Sequence, residues 1–153
     1  MTLLLALLIG IVAGLRAMTA PAAVSWGAWL GWLPVAQSWA AFMGHWLAVA
    51  ILSLAALAEL VTDQLPSTPS RKVPMQFAAR LVTGALSGAV VGTAGGQLAG
   101  GLVAGVIGAA IGTLGGAEVR RILAKAFGRD LPAALIEDAV AILAALWIVS
   151  ALS

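Results

Sequence analysis

Between Trp46 and Leu65 the chain stays apolar over the length of a bilayer crossing, and its only charged residues there are Glu59 and Asp63. A hydrocarbon core about 30 Å thick takes about 20 apolar residues as a helix. Inside it every backbone polar group needs a partner within the protein, which leaves helices or closed barrels. A continuous apolar run of this length, rather than short alternating ones, chooses the helix. A carboxylate at the centre of such a helix costs about 2.5–3.5 kcal/mol. Glu59 and Asp63 are four residues apart and share a helix face, so other helices must bring the groups that compensate them.

The rest of the sequence agrees with a membrane bundle. It is 62% hydrophobic and 9% charged, against about 25% charged in a soluble domain. Its 153 residues suffice for one unit (1–153) of a few crossings. The net charge of +2 rests on basic residues at helix ends. That pattern fits orientation in a membrane better than binding to nucleic acid. With no cysteine, disulfides, thiolate metal sites and cysteine nucleophiles are excluded. No basic residue precedes the first apolar stretch and Arg16 interrupts it, so a retained helix is expected rather than a signal peptide.

The expected fold is an all-α polytopic bundle of about five spans. They fall near Thr2–Val24, Gly44–Leu65, Met75–Ala94, Leu98–Gly116 (with an extension to Phe127) and Leu131–Leu152. Trp26, Trp29, Trp32 and Trp39, with Pro34 among them, read as an interfacial or re-entrant stretch, because tryptophan favours the membrane–water boundary. Pro66, Pro69 and Pro74 mark a loop, as do Gly95-Gly96-Gln97. Asp130 is placed as the cap of the last helix. With five spans, Arg71 and Lys72 share a side with Arg120, Arg121, Lys125 and Arg129. The positive-inside rule then puts the N-terminus in the cytoplasm and the C-terminus outside. A weak echo links Ile9-Gly10 and Gly14 with Ile107-Gly108 and Gly112. It is open between chance in a low-complexity chain and an inverted repeat of the transporter kind.

Gly84, Gly88, Gly92, Gly96 and Gly100 recur every four residues, followed by Gly101 and Gly105 and by Gly108, Gly112 and Gly116. Small residues at this spacing let helix backbones approach closely. They predict glycine-zipper packing between neighbouring spans, and a homo-oligomer, a dimer above all, as a sharper alternative.

The remaining charges within spans are Arg16, Arg80, Glu118, Glu137 and Asp138. Glu59, Asp63, Arg80, Glu137 and Asp138 fall at similar depth near the cytoplasmic side. Arg16 joins them only if the first span is broken around Gly14–Pro21, as helices at transporter sites often are. Ionisable groups inside a membrane are functional by default. The alternative is that they neutralise one another and fix helix register. The single histidine, His45, cannot build a histidine zinc site and suits the interface beside Trp46. No catalytic triad, cofactor or metal site is expected, and the chain does not read as an enzyme.

Gly14-Leu15-Arg16, Glu59-x-x-x-Asp63-x-x-Pro66, Arg80 before Gly84-Ala85, and Glu137-Asp138 together resemble the small bacterial integral-membrane proteins of domain-of-unknown-function family 4126. The resemblance covers nearly the whole chain. It departs at Gln64, where the family often carries lysine. It implies a bacterial inner-membrane location and marks Arg16, Glu59, Asp63, Arg80, Glu137 and Asp138, but carries no activity. The function expected is movement of an ion or small solute, with a lipid-binding or assembly scaffold as the alternative.

Overall fold

A computed structural model describes residues 1–64 and 73–153; the loop expected at Pro66, Arg71 and Lys72 lies outside the described residues. Among the described residues there are six α-helices: α1 (Thr2–Leu15), α2 (Thr19–Trp29), α3 (Trp46–Thr62), α4 (Pro74–Ala94), α5 (Leu98–Phe127) and α6 (Asp130–Ser150). A short 3-10 helix at Trp39–Gly44 precedes α3. Of these, α4, α5 and α6 are long and apolar enough to cross a membrane, and α1 and α3 are shorter apolar helices. The chain is a helical membrane protein.

Helix ends follow local chemistry. Pro74 begins α4 at a position where its missing N–H removes nothing. Gly128, at φ +74°, ends α5 in the left-handed region that favours glycine. His45 Nδ1 accepts from the Leu47 amide and caps α3, while its ring stacks on Trp46. The α6 helix begins at Asp130 itself, so Arg129 holds the cap position and Asp130 is the first helical residue, where its carboxylate accepts from Arg120.

Helix α5 is the axis of the bundle. Gly108 and Gly112 lie backbone to backbone against α1 on one side, and Gly101 and Gly105 against α4 on the other. A methyl group at Gly105 would fall on the Gly84 carbonyl, and one at Gly108 on the Leu7 carbonyl. Gly84, Gly88 and Gly92 meet α5, while Gly112 meets Ile11. Gly96 departs from the expected packing row. It sits in the turn after α4 at φ +72°, and a methyl group there would meet nothing within 4 Å.

The first expected span, Thr2–Val24, is not one continuous helix. Helix α1 has 14 residues and α2 has 11, about 21 and 16 Å at 1.5 Å per residue, each too short for a 30 Å core. Their contacts show a hairpin. Thr2 lies against Gly95 and Gly14 against Thr113, so α1 runs parallel to α5. Arg80 reaches Gly14, so α1 runs antiparallel to α4. Chain direction then reverses. Glu59 bonds the Met18 amide, Trp26 Nε1 donates to Ser53, and Gly27 meets Val149 near the end of α6.

The tryptophan segment returns to the end where α1 began, with Trp39 Nε1 donating to Thr93. One end of the bundle thus holds Thr2, the 95–97 turn, the tryptophans and the end of α6. The other holds Lys125, Gly128 and Arg129, and is called the basic end below. The five-span reading puts Thr2 at the basic end; in the bundle Thr2 lies against the 95–97 turn, and the end of α6 lies at that same tryptophan end. The parallel run of α1 and α5 also removes the inversion from the glycine echo. Gly10 and Gly108 resemble each other because they press two helices together in the same direction.

Candidate functional site

The hairpin tip lies inside the bundle and builds the site. Helix α1 stops at Leu15. Arg16 is extended (φ −140°, ψ 111°), and α2 starts at Thr19 with Pro21 in its first turn, where proline is tolerated. Gly14 lets this end press against α5, because a side chain there would meet the backbone of Ala109, Gly112 and Thr113. A helix break deep in an apolar bundle leaves carbonyls on one side and amides on the other without partners. Both sets are met by charged side chains. The Gly14 carbonyl accepts from Arg80 Nη1 (2.8 Å) and from Thr113 Oγ1 (3.4 Å). The Ala17 and Met18 amides donate to the two oxygens of Glu59 (2.8 and 2.7 Å). Glu59 therefore sits on the positive N-terminus of α2.

Arg16 is the centre. Its side chain has 0% exposure, and Nη1 donates to Asp63 Oδ2 (2.6 Å) and Nε to Asp138 Oδ1 (2.6 Å). Nη2 is close to Asp138 Oδ1 and 3.6 Å from Glu137 Oε2, aligned with neither as a hydrogen bond. Arg80 Nη2 lies 3.8 Å from both Glu59 Oε1 and Asp63 Oδ2. The six residues expected at the site, Arg16, Glu59, Asp63, Arg80, Glu137 and Asp138, come together. Arg16 joins because the chain breaks where Gly14 and Pro21 suggest. Glu118 does not join; it is exposed and pairs with Arg121.

Two members are absent from the sequence expectation. Gln64 Nε2 donates to Asp138 Oδ2 (3.1 Å). Arg120 donates to Asp130 and Glu137 and to the Asp63 carbonyl. The sequence places Arg120 only among the basic residues between the fourth and fifth spans; it lies on the extension of α5 to Phe127 that the sequence suggests. The signal was the helical spacing of Ala109, Gly112, Thr113, Gly116 and Arg120, which carries one face of α5 straight to it.

Chemically the cluster can hold or relay protons and small cations, or it can fix the hairpin. Among the described residues no group of histidine and carboxylate side chains is placed to hold a metal ion. Comparison with known proteins finds no matching family model, curated protein or solved structure.

Proposed function

We propose that this chain is a small transporter or channel of the bacterial inner membrane, related to domain-of-unknown-function family 4126, that moves a proton or small cation past the Arg16 cluster. One observation carries the reading. A helical hairpin turns back within the bundle and delivers a buried guanidinium to carboxylates from two other helices. Broken helices whose ends meet charged groups at membrane depth are how transporters build their sites, and a fold needs no such break merely to bury apolar surface. In this reading α4, α5 and α6 cross the membrane, the shorter α3 is a fourth crossing completed by residues beyond its helix, and the α1–α2 hairpin is re-entrant. With the basic end in the cytoplasm, both termini face outward.

In sealed vesicles, wild-type protein is expected to carry proton or monovalent-cation flux that Asp63→Asn and Glu137→Gln each reduce by roughly tenfold or more, the usual scale for a lost relay group. Flux unchanged in both variants removes the proposal.

A specific observation favours a second reading, a non-transporting scaffold. Glu59 and Arg80 both satisfy backbone groups of the hairpin, a structural duty. Under that reading Glu59→Gln lowers the melting temperature in detergent while wild type carries no flux. Under the transport reading wild type carries flux whatever Glu59→Gln does to melting.

A further inference from the structure

Threonines inside the long helices satisfy themselves. Thr83, Thr93 and Thr113 each donate to a carbonyl one turn back, at Arg80, Ala89 and Ala109 (3.2, 2.8 and 2.7 Å). Thr19 does not. It is the first residue of α2, so the residue one turn back is Leu15, beyond the extended Arg16. The Leu15 carbonyl accepts from Arg16 Nη1 (3.3 Å) instead. Thr19 is 7% exposed, and its Oγ1 is buried without a hydrogen-bond partner among the described residues. A buried hydroxyl in that state is costly and calls for a partner.

Thr19 lines a cavity of about 310 Å³. Helix α2, which packs on both α3 and α6, forms its floor through Ala22 and Ala23. Leu57 and Leu60 of α3 and Leu146 of α6 form its walls. Leu57 and Leu146 are exposed, so the cavity opens sideways onto apolar surface, which in a membrane protein faces lipid. None of its lining side chains is charged, and a hydrated ion does not enter such a space. Glu59, which holds the adjacent Met18 amide, repels a second carboxylate. The other polar side chains lining it, Trp26 and Ser53, are bonded to each other (2.9 Å), two turns of α2 away from Thr19. A buried water takes about two to four polar partners, which one hydroxyl among apolar side chains does not supply. An apolar lining with few polar groups is the make-up of a small-molecule site, and the volume is at the lower end for one.

We propose that this cavity binds a small uncharged amphiphile from the lipid phase, an apolar body carrying one oxygen that accepts a hydrogen bond from Thr19. Helical threonine has two common χ1 states, and rotation between them turns the hydroxyl to the ligand's oxygen. The ligand then lies against the hairpin tip that carries Arg16. The inference goes beyond the transport reading. Its test reads binding rather than flux, so the two fail separately.

The full-length protein in nanodiscs is irradiated with a diazirine analogue of octanol, or with the same diazirine lacking the hydroxyl, and adducts are located by peptide mass mapping. Adducts of the octanol probe are expected to concentrate at Leu57, Leu60 and Leu146 and to saturate. Thr19→Val keeps the shape and removes the donor. It is expected to raise the half-saturating concentration roughly three- to tenfold, the scale of one hydrogen bond, while Thr19→Ser binds as wild type does. The hydrocarbon probe responds to neither change. Without probe, Thr19→Val is expected to melt no lower than wild type, because it removes an unsatisfied buried group. The proposal is overturned if the octanol probe spreads evenly over the lipid-facing surface, if Thr19→Val weakens both probes alike or neither, or if it lowers the melting temperature without probe.

Discussion

Replacing Arg16 by methionine is expected to destabilise the protein by about 3–5 kcal/mol, the cost of leaving buried partners uncompensated. Asp63, Asp138 and Glu137 converge on this guanidinium, and no water or lipid headgroup reaches a side chain with 0% exposure to replace it. Methionine keeps the length and apolar stem, so the loss reports charge rather than packing. Reversible unfolding in mixed micelles measures it. Arg121→Met is the matched control, because that residue pairs with Glu118 at the surface, where such pairs contribute little; no measurable change is expected there. Combining Arg16→Met with Asp138→Leu should recover part of the loss, since replacing both members of a buried pair is far cheaper than removing one. A single variant as stable as wild type would mean that the cluster is solvated.

Gly105→Val is expected to cost about 3 kcal/mol or more, at or beyond the upper end of overpacking effects. The clash is with backbone, which cannot rotate away: the added carbon lands on the Gly84 carbonyl and against the Gly88 Cα. Separating α4 from α5 also disturbs the face on which Arg80 reaches Gly14. Gly115→Ala is the contrast. Nothing lies within 4 Å of a methyl group there, and alanine is the better helix former by about 1 kcal/mol, so that variant is expected to be as stable as wild type or more so. Thermal melting of both in the same detergent decides it. Equal behaviour of the two glycines would contradict the close approach of α4 and α5.

The sequence shows some of this plainly and hides the rest for physical reasons. Helices α4 and α6 lie within a residue or two of the apolar runs Met75–Ala94 and Leu131–Leu152, because hydropathy and flanking proline or glycine mark their ends. The charged members of the site were legible for the opposite reason: a carboxylate or guanidinium in an apolar run is too costly to be incidental. Gln64 carries no charge and raised no such signal. Arg120 was masked by its basic neighbours Arg121 and Lys125, among which it reads as an orienting charge rather than as a member of the site. The reversal at Arg16–Met18 was the hardest feature to read. Thr2–Val24 is apolar throughout except for Arg16, and apolarity reports burial without direction. Only the partners of the two broken ends, Arg80 on one and Glu59 on the other, reveal that the chain turns back.

That reversal is the central claim, because it alone places Arg16 among the carboxylates and both termini at one end. The chain has no cysteine, so single-cysteine variants report sidedness without background. Thr2→Cys, Ser153→Cys and Lys125→Cys, each labelled with a membrane-impermeant thiol reagent in sealed, right-side-out vesicles, give the most direct measurement. The hairpin predicts that positions 2 and 153 react from the same side and position 125 only from the other. Positions 2 and 153 reacting from opposite sides would mean that the first segment crosses the membrane, and would contradict the account.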